Sequence, residues 1–219
     1  MTFQEHLSSI RQSIETSLEP RQVKIMHRAT EELIQSGQEE RILAVGDKMP
    51  QILLSNQEDL QVKFSSLLQE GPLVITFYRG VWCPYCNADL QNLNSYTQAV
   101  EDAGARMVAI SPETGDFVKQ IHRKFRLNFD LFSDPGNRTA DAFGLRFRLN
   151  DELIALYRDE LEIDLTRHNG DDSWTLPMPA RYVIDRSGIV VYAEAGADYT
   201  LRPDPDAMIS VLESLISQD

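Results

Sequence analysis

The sequence predicts an α/β domain, a central mixed β-sheet flanked by helices, with an N-terminal helical extension. Three observations predict it. From about residue 45 onward, short apolar, β-branched runs alternate with amphipathic segments, which implies a largely parallel sheet covered on both faces. Two late strands are joined around a tight turn, which adds an antiparallel edge. The first 44 residues carry only helical periodicity. The chain has 219 residues, 42% of them hydrophobic and 25% charged, which suits one domain with a sizeable core. The change in texture divides it into an extension, residues 1–44, and an α/β domain, residues 45–219.

In chain order, Phe3, Leu7, Ile10, Ile14 and Leu18 recur at three- and four-residue steps and form one apolar stripe. Pro20 breaks that helix, a second follows over 23–33, and Gly37 ends it. The stripe needs a partner, either the chain's own core or a second copy in a homodimer. Residues 72–78 read as a strand buried on both faces. A helix is expected from Cys83 to about residue 103, with Leu90, Leu93, Tyr96 and Val100 on one face. A buried strand (105–111), a helix (115–125), a short strand (130–133) and a short helix (137–143) follow. "RYVID" and "IVVYAEA" form a hairpin around Arg186 to Gly188, and residues 205–216 close the chain as an amphipathic helix. Residues 149–174 are acidic and resist assignment.

The formal net charge is −13, so nucleic acid and anionic membrane surfaces are excluded as main partners. No run approaches the ~18 apolar residues of a membrane span, and the first residues lack a signal-peptide core. A cytoplasmic protein is expected, in which exposed thiols stay mostly reduced.

Cys83 and Cys86 are the only cysteines. A buried strand ends near Tyr78, and Pro84 suits the first position of the next helix. Cys83 then sits at a helix start, where first-turn N–H groups and the dipole favour its thiolate. Cys86 lies one turn on, placed to close a disulfide. The spacing reads as one attacker and one resolver, with no cofactor needed. Half of a zinc site is the alternative, but there is no third cysteine and the histidines (His6, His27, His122, His168) are scattered, so no metal is expected. Two inert core cysteines are the other alternative.

With "VGDKMP", "PLVITFYRGVWCPYC", "GARMVAISPE", "LNFDLFSDPGNRTADAFGL" and "RYVIDRSGIVV" in hand, roughly residues 45–194 resemble the AhpC/TSA group of peroxiredoxin-like proteins in the thioredoxin superfamily. The resemblance implies a thioredoxin-like sandwich, a hydroperoxide or disulfide substrate, and thioredoxin, glutaredoxin or glutathione as electron donor. The family motif PxxxTxxC, laid on "FYR", puts Arg79 at the proline, Cys83 at the threonine and Cys86 at the peroxidatic cysteine. The family's catalytic arginine falls on Pro179, which leaves Arg79 or Arg181 to substitute by another route. Pro84-Tyr85 looks like the glutaredoxin dipeptide. Pro179, preceded by Met178, falls where thioredoxins carry a substrate-pairing cis-proline beside the cysteines; an ordinary loop proline is the alternative. Phe77 stands where thioredoxins bury a carboxylate, so proton handling at Cys86 needs another group or water. In the family the tryptophan at Trp82 covers the sulfur face, though packing in the core also accounts for it. Trp174 has no family counterpart and is expected to anchor core or loop.

Three functions are in play: a thiol-dependent peroxidase, a thiol–disulfide oxidoreductase, and a redox sensor or scaffold. Helix-start chemistry names Cys83 as the attacking sulfur, whereas the peroxiredoxin alignment names Cys86. The extension, lying outside the resemblance, is expected to be dispensable for chemistry.

Overall fold

The computed structural model describes residues 2–216; Met1 and residues 217–219 of the two expected segments lie outside them. Two helices open the chain, α1 (Phe3–Ser17) and α2 (Pro20–Gln35). Thr2 caps α1: its hydroxyl accepts from the Glu5 N–H, and the Glu5 carboxylate accepts from the Thr2 N–H, a reciprocal cap that satisfies two otherwise orphaned donors. Pro20 ends nothing by itself; it is the first residue of α2, where its fixed φ fits and its missing N–H is not needed.

The sheet has seven strands in the order β2-β1-β5-β4-β3-β8-β9. They are β1 (Leu53–Asn56), β2 (Gln61–Lys63), β3 (Leu73–Phe77), β4 (Arg106–Ser111), β5 (Asp130–Ser133), β8 (Ala180–Ile184) and β9 (Val190–Ala195). All five residues of β3 are buried, which agrees with its unbroken apolar run. Only β3, β4 and β5 run parallel to one another. Both flanks are antiparallel, β8 and β9 on one side, β1 and β2 on the other. The sheet is therefore mixed and not largely parallel. The hairpin β1–β2 escapes the sequence reading because its strands are four and three residues long and Leu54 and Asn56 are the buried ones among the seven, which leaves little alternation to read. A separate pair, β6 (Arg146–Arg148) and β7 (Thr175–Pro177), is antiparallel.

Short α3 (Phe64–Leu67) precedes β3. The long helix expected after Cys83 is in fact two, α4 (Pro84–Asn94) and α5 (Thr97–Asp102). Side chains at the junction bond locally: Ser95 Oγ donates to the Asn92 carbonyl and Thr97 Oγ1 to the Asn94 carbonyl. Asn94 also accepts from the Asn128 N–H. Such bonds compete with the helical ladder. The chain continues through α6 (Gly115–Phe125) and α7 (Arg138–Ala142), and α10 (Pro205–Ile216) packs on β8 and β9.

Residues 149–174 form α8 (Asp151–Ala155), a π turn (Leu156–Glu160) and α9 (Leu165–Asn169). They enclose a core of their own, with Leu153, Leu156, Trp174 and Leu176 against Ile25 and Met26 of α2. Trp174 thus anchors the core, as expected. The extension is no appendage: Leu7 is 2% exposed and α1 lies across α4.

Candidate active site

The loop between β3 and α4 holds the sulfurs. Gly80 has φ +152, and a Cβ there would stand 2.5 Å from Trp82 Nε1 and 2.8 Å from Glu113 Oε1. Only glycine lets the loop pass between those two side chains. Cys83 is the N-cap of α4 in extended conformation, and its carbonyl accepts the first helical bond, from the Asn87 N–H. Pro84 takes the first helical position, as expected.

Both cysteines are free thiols and both are buried, Cys83 at 1% exposure and Cys86 at 0%. The Arg79 N–H donates to Cys86 Sγ at 3.3 Å. A guanidinium that no motif announced completes the group: Arg202 Nη2 donates to Cys86 Sγ at 3.0 Å and stands 4.0 Å from Cys83 Sγ. Burial pushes the Cys83 thiol up, but a hydrogen bond from Cys86 and the charges of Arg79 and Arg202 outweigh it and bring Cys83 to about 6. Burial, the bond to Cys83 and the Cys83 charge push Cys86 well above the ordinary thiol range. One sulfur is thus the thiolate and the other the proton-bearing thiol.

Arg181, the other candidate guanidinium, does not reach the sulfurs. It is fully buried and gives Nη2 to both Asp89 oxygens, at 2.8 and 3.1 Å, and Nη1 to the Pro203 carbonyl at 2.7 Å. Asp89, on α4, also lies 3.7 Å from Arg202 Nε. Arg181 therefore fixes the carboxylate that faces the working arginine. The sequence TLRPDP around Arg202 reads as a polar turn before α10, so nothing marked that residue.

A buried carboxylate does stand beside the cysteine loop, that of Glu113, just past β4. It is 0% exposed; Oε2 accepts from the Val81 N–H at 2.9 Å, and Oε1 pairs with His168 Nδ1 at 3.0 Å. Burial raises its pKa, against the pull of His168 and the Val81 N–H. Only burial and folding distance bring it to the loop, so sequence spacing could not.

Neither Met178 nor Pro179 lines the cavity over Cys83. The peptide bond before Pro179 is trans, like every other among the described residues. Met178 is buried in the core with Phe77 and Tyr182, its N–H donates to the Leu145 carbonyl, and the Pro179 carbonyl accepts from Gly196. These bonds carry the chain straight from β7 into β8, and the trans form is the one X-Pro bonds ordinarily take.

A cavity of 430 Å3 opens over Cys83. Trp82, Pro84, Tyr85 and Arg79 line its floor with Cys83, while Cys86 does not reach it. Trp82 covers the sulfur side, edge-on to Tyr157 and 4.8 Å from the Arg79 guanidinium. The opposite wall is built by Ile14 and Leu18 of the first helix segment and Met26 and Ile34 of α2. The expectation that the extension is dispensable for chemistry gives way here, because the extension roofs the sulfur.

The AhpC/TSA family model matches residues 45–193. The chain belongs to the AhpC/TSA family. It is 30% identical over 103 residues to a putative peroxiredoxin bcp of Haemophilus influenzae, covering 47% of this chain and 66% of that one. It is 26% identical over 145 residues to chloroplastic peroxiredoxin Q of Sedum lineare, covering 66% and 65%. The matched segments thus span just under two thirds of those relatives' lengths. Among solved structures it is similar to peroxidoxin BcpB of Mycobacterium tuberculosis, with TM-score 0.62, 19% identity, and 79% and 98% of the two chains covered. The thioredoxin-like, mixed-sheet architecture is shared. In this AhpC/TSA chain a guanidinium does stand at the sulfurs, that of Arg202, although the position expected to carry the family's arginine holds Pro179.

Proposed function

We propose that the protein is a thiol-dependent peroxidase that reduces hydroperoxides through a Cys83–Cys86 disulfide and is reset by an external dithiol. The single observation that carries this is a thiol at about 6, on the floor of an apolar cavity, beside two buried guanidiniums. The Cys83 thiolate attacks the distal oxygen of ROOH, the O–O bond breaks, and the alkoxide leaves with a proton as ROH. Cys83 becomes a sulfenic acid; Cys86 then displaces its hydroxyl, forming the disulfide and releasing water. Arg79 and Arg202 hold the thiolate and the charge that develops on the leaving oxygen. Thioredoxin, glutaredoxin or glutathione supplies the two electrons that reopen the disulfide. A reducing, cytoplasmic setting fits a disulfide that is transient.

A thiol–disulfide oxidoreductase draws support from the CPYC spacing alone. Against it, Cys83 is 1% exposed under the helical roof, and the residues expected to pair with a protein substrate, Met178 and Pro179, do not line the cavity over it.

The test is mass spectrometry of single-cysteine variants after stoichiometric peroxide. Cys86→Ser should accumulate sulfenic acid on Cys83, and Cys83→Ser should consume no peroxide. If Cys83→Ser keeps peroxide consumption and Cys86→Ser loses it, the roles are exchanged; if neither sulfur is oxidised, the sensor or scaffold reading takes over. Arg202→Gln should slow peroxide consumption on the order of 10²-fold, the scale of losing one donor at a developing oxyanion, and should move the thiol titration upward.

A further inference from the structure

A second cavity, of 420 Å3, adjoins the sulfur cavity, and Arg79, Tyr199 and Thr30 border both. No cysteine lines it. Its walls are mixed: Ala29 and Leu33 of α2, Leu153 of α8 and Phe147 of β6 form an apolar part, and Glu32, Gln38, Arg148 and Asn150 a polar one.

Two guanidiniums on this cavity have no carboxylate partner among the described residues. Arg79 is 2% exposed. It gives Nη2 to Tyr157 Oη at 2.9 Å and stacks 4.2 Å from the Tyr199 ring, but its Nε is buried without a partner. No carboxylate pairs with it among the described residues. Arg146, on β6, makes no hydrogen bond or ion pair among the described residues. The other charged groups here are engaged: Arg148 with Asp151 at 2.9 Å, and Glu32 with Asn150 at 2.7 Å and Arg28 at 3.7 Å. Tyr157 is the first of the groups whose charge bears on Arg79 and Cys83 the second, and of these Cys83, at about 6, is the one that stands as an anion at neutral pH. A disulfide abolishes that charge. An unpaired buried cation is strongly unfavourable, so oxidation should favour any anion that can approach it.

We propose that this second cavity binds an organic carboxylate with a short apolar body, and that it does so more tightly when Cys83 and Cys86 are joined. Arg146 and Arg79 take the carboxylate; Leu33, Phe147 and Leu153 take the body. The site adjoins the peroxide cavity and shares Arg79 with it, and it needs only that Cys83 exist as thiolate or disulfide.

Octanoate is the probe, titrated calorimetrically into fully reduced and diamide-oxidised protein, with octan-1-ol as the neutral control. Saturable octanoate binding is expected, at least tenfold tighter to the oxidised form and unmatched by octanol. By linkage, a tenfold ratio makes the disulfide midpoint about 30 mV more negative in saturating octanoate. Arg146→Gln should weaken binding to both forms at least tenfold while leaving peroxide consumption without octanoate unchanged, and Ala29→Phe should block the cavity. Absence of saturable binding, equal affinity for the two redox forms, or equal binding of octanol would each overturn the proposal on wild-type protein, whatever the variants do. Because the binding assay uses no peroxide, failure of the peroxidase reading and failure of this one are told apart.

Discussion

Glu113 shows what one buried carboxylate does to a loop. It ties the Val81 N–H and His168 together, and the same loop gives the Arg79 N–H to Cys86. Its folded pKa is raised above the ordinary 4.5, chiefly by burial. The sign follows: the folded state holds the proton more tightly than the unfolded chain, so the stabilising contribution is present below about 4.5 and is lost as pH rises through the raised value. Glu113→Gln keeps an acceptor for Val81 and removes the titration. Thermal denaturation from pH 4 to 7 should show a decline in wild type that is flattened in the variant; parallel profiles would contradict it. Cys83 runs the opposite way, since its pKa is depressed to about 6. Alkylation by iodoacetamide should therefore rise through pH 6 and reach Cys83 before Cys86.

Among the elements, α4 is fastened to β8 by Asp89 and Arg181, both buried to 2% or less. Asp89→Ala leaves Arg181 and Arg202 buried without a carboxylate, and breaking such a pair costs about 3–5 kcal/mol. A denaturant midpoint within error of wild type would refute this. The sheet's central strands, the cysteine helix and the closing helix were legible because burial on both faces writes an unbroken apolar run and burial on one face writes a 3.6-residue period. The hairpin β1–β2, residues 149–174 and the division of α4 from α5 were not. Their structure comes from side-chain bonds such as Ser95 to Asn92, or from packing against a distant helix, and neither leaves a period. At the site, Cys83, Cys86, Trp82, Pro84, Tyr85 and Arg79 come together around a motif. Arg202 and Glu113 arrive from sequence-distant loops and His168 from α9, and all three could be found only by folding the chain.

For the molecule as a whole, the extension and the α/β domain share one cavity, so access to sulfur is set by helices outside the family match. Ile14→Trp should narrow the cavity and slow cumene hydroperoxide at least several-fold more than hydrogen peroxide, measured as the ratio of kcat/KM values. An unchanged ratio would show that the roof does not select. A net charge of −13 surrounds a buried ion cluster in which two arginines, Arg181 and Arg202, face one carboxylate, Asp89. That arrangement has a consequence for anyone seeking a hardier variant. Well-packed apolar replacements of buried ion pairs are often neutral or stabilising by 1–4 kcal/mol, so a library screened for heat resistance alone would drift toward leucine and methionine at these positions. The survivors would keep the fold while their sulfurs lost the charges that make them reactive, and a screen that also scores thiol reactivity would retain the arginines.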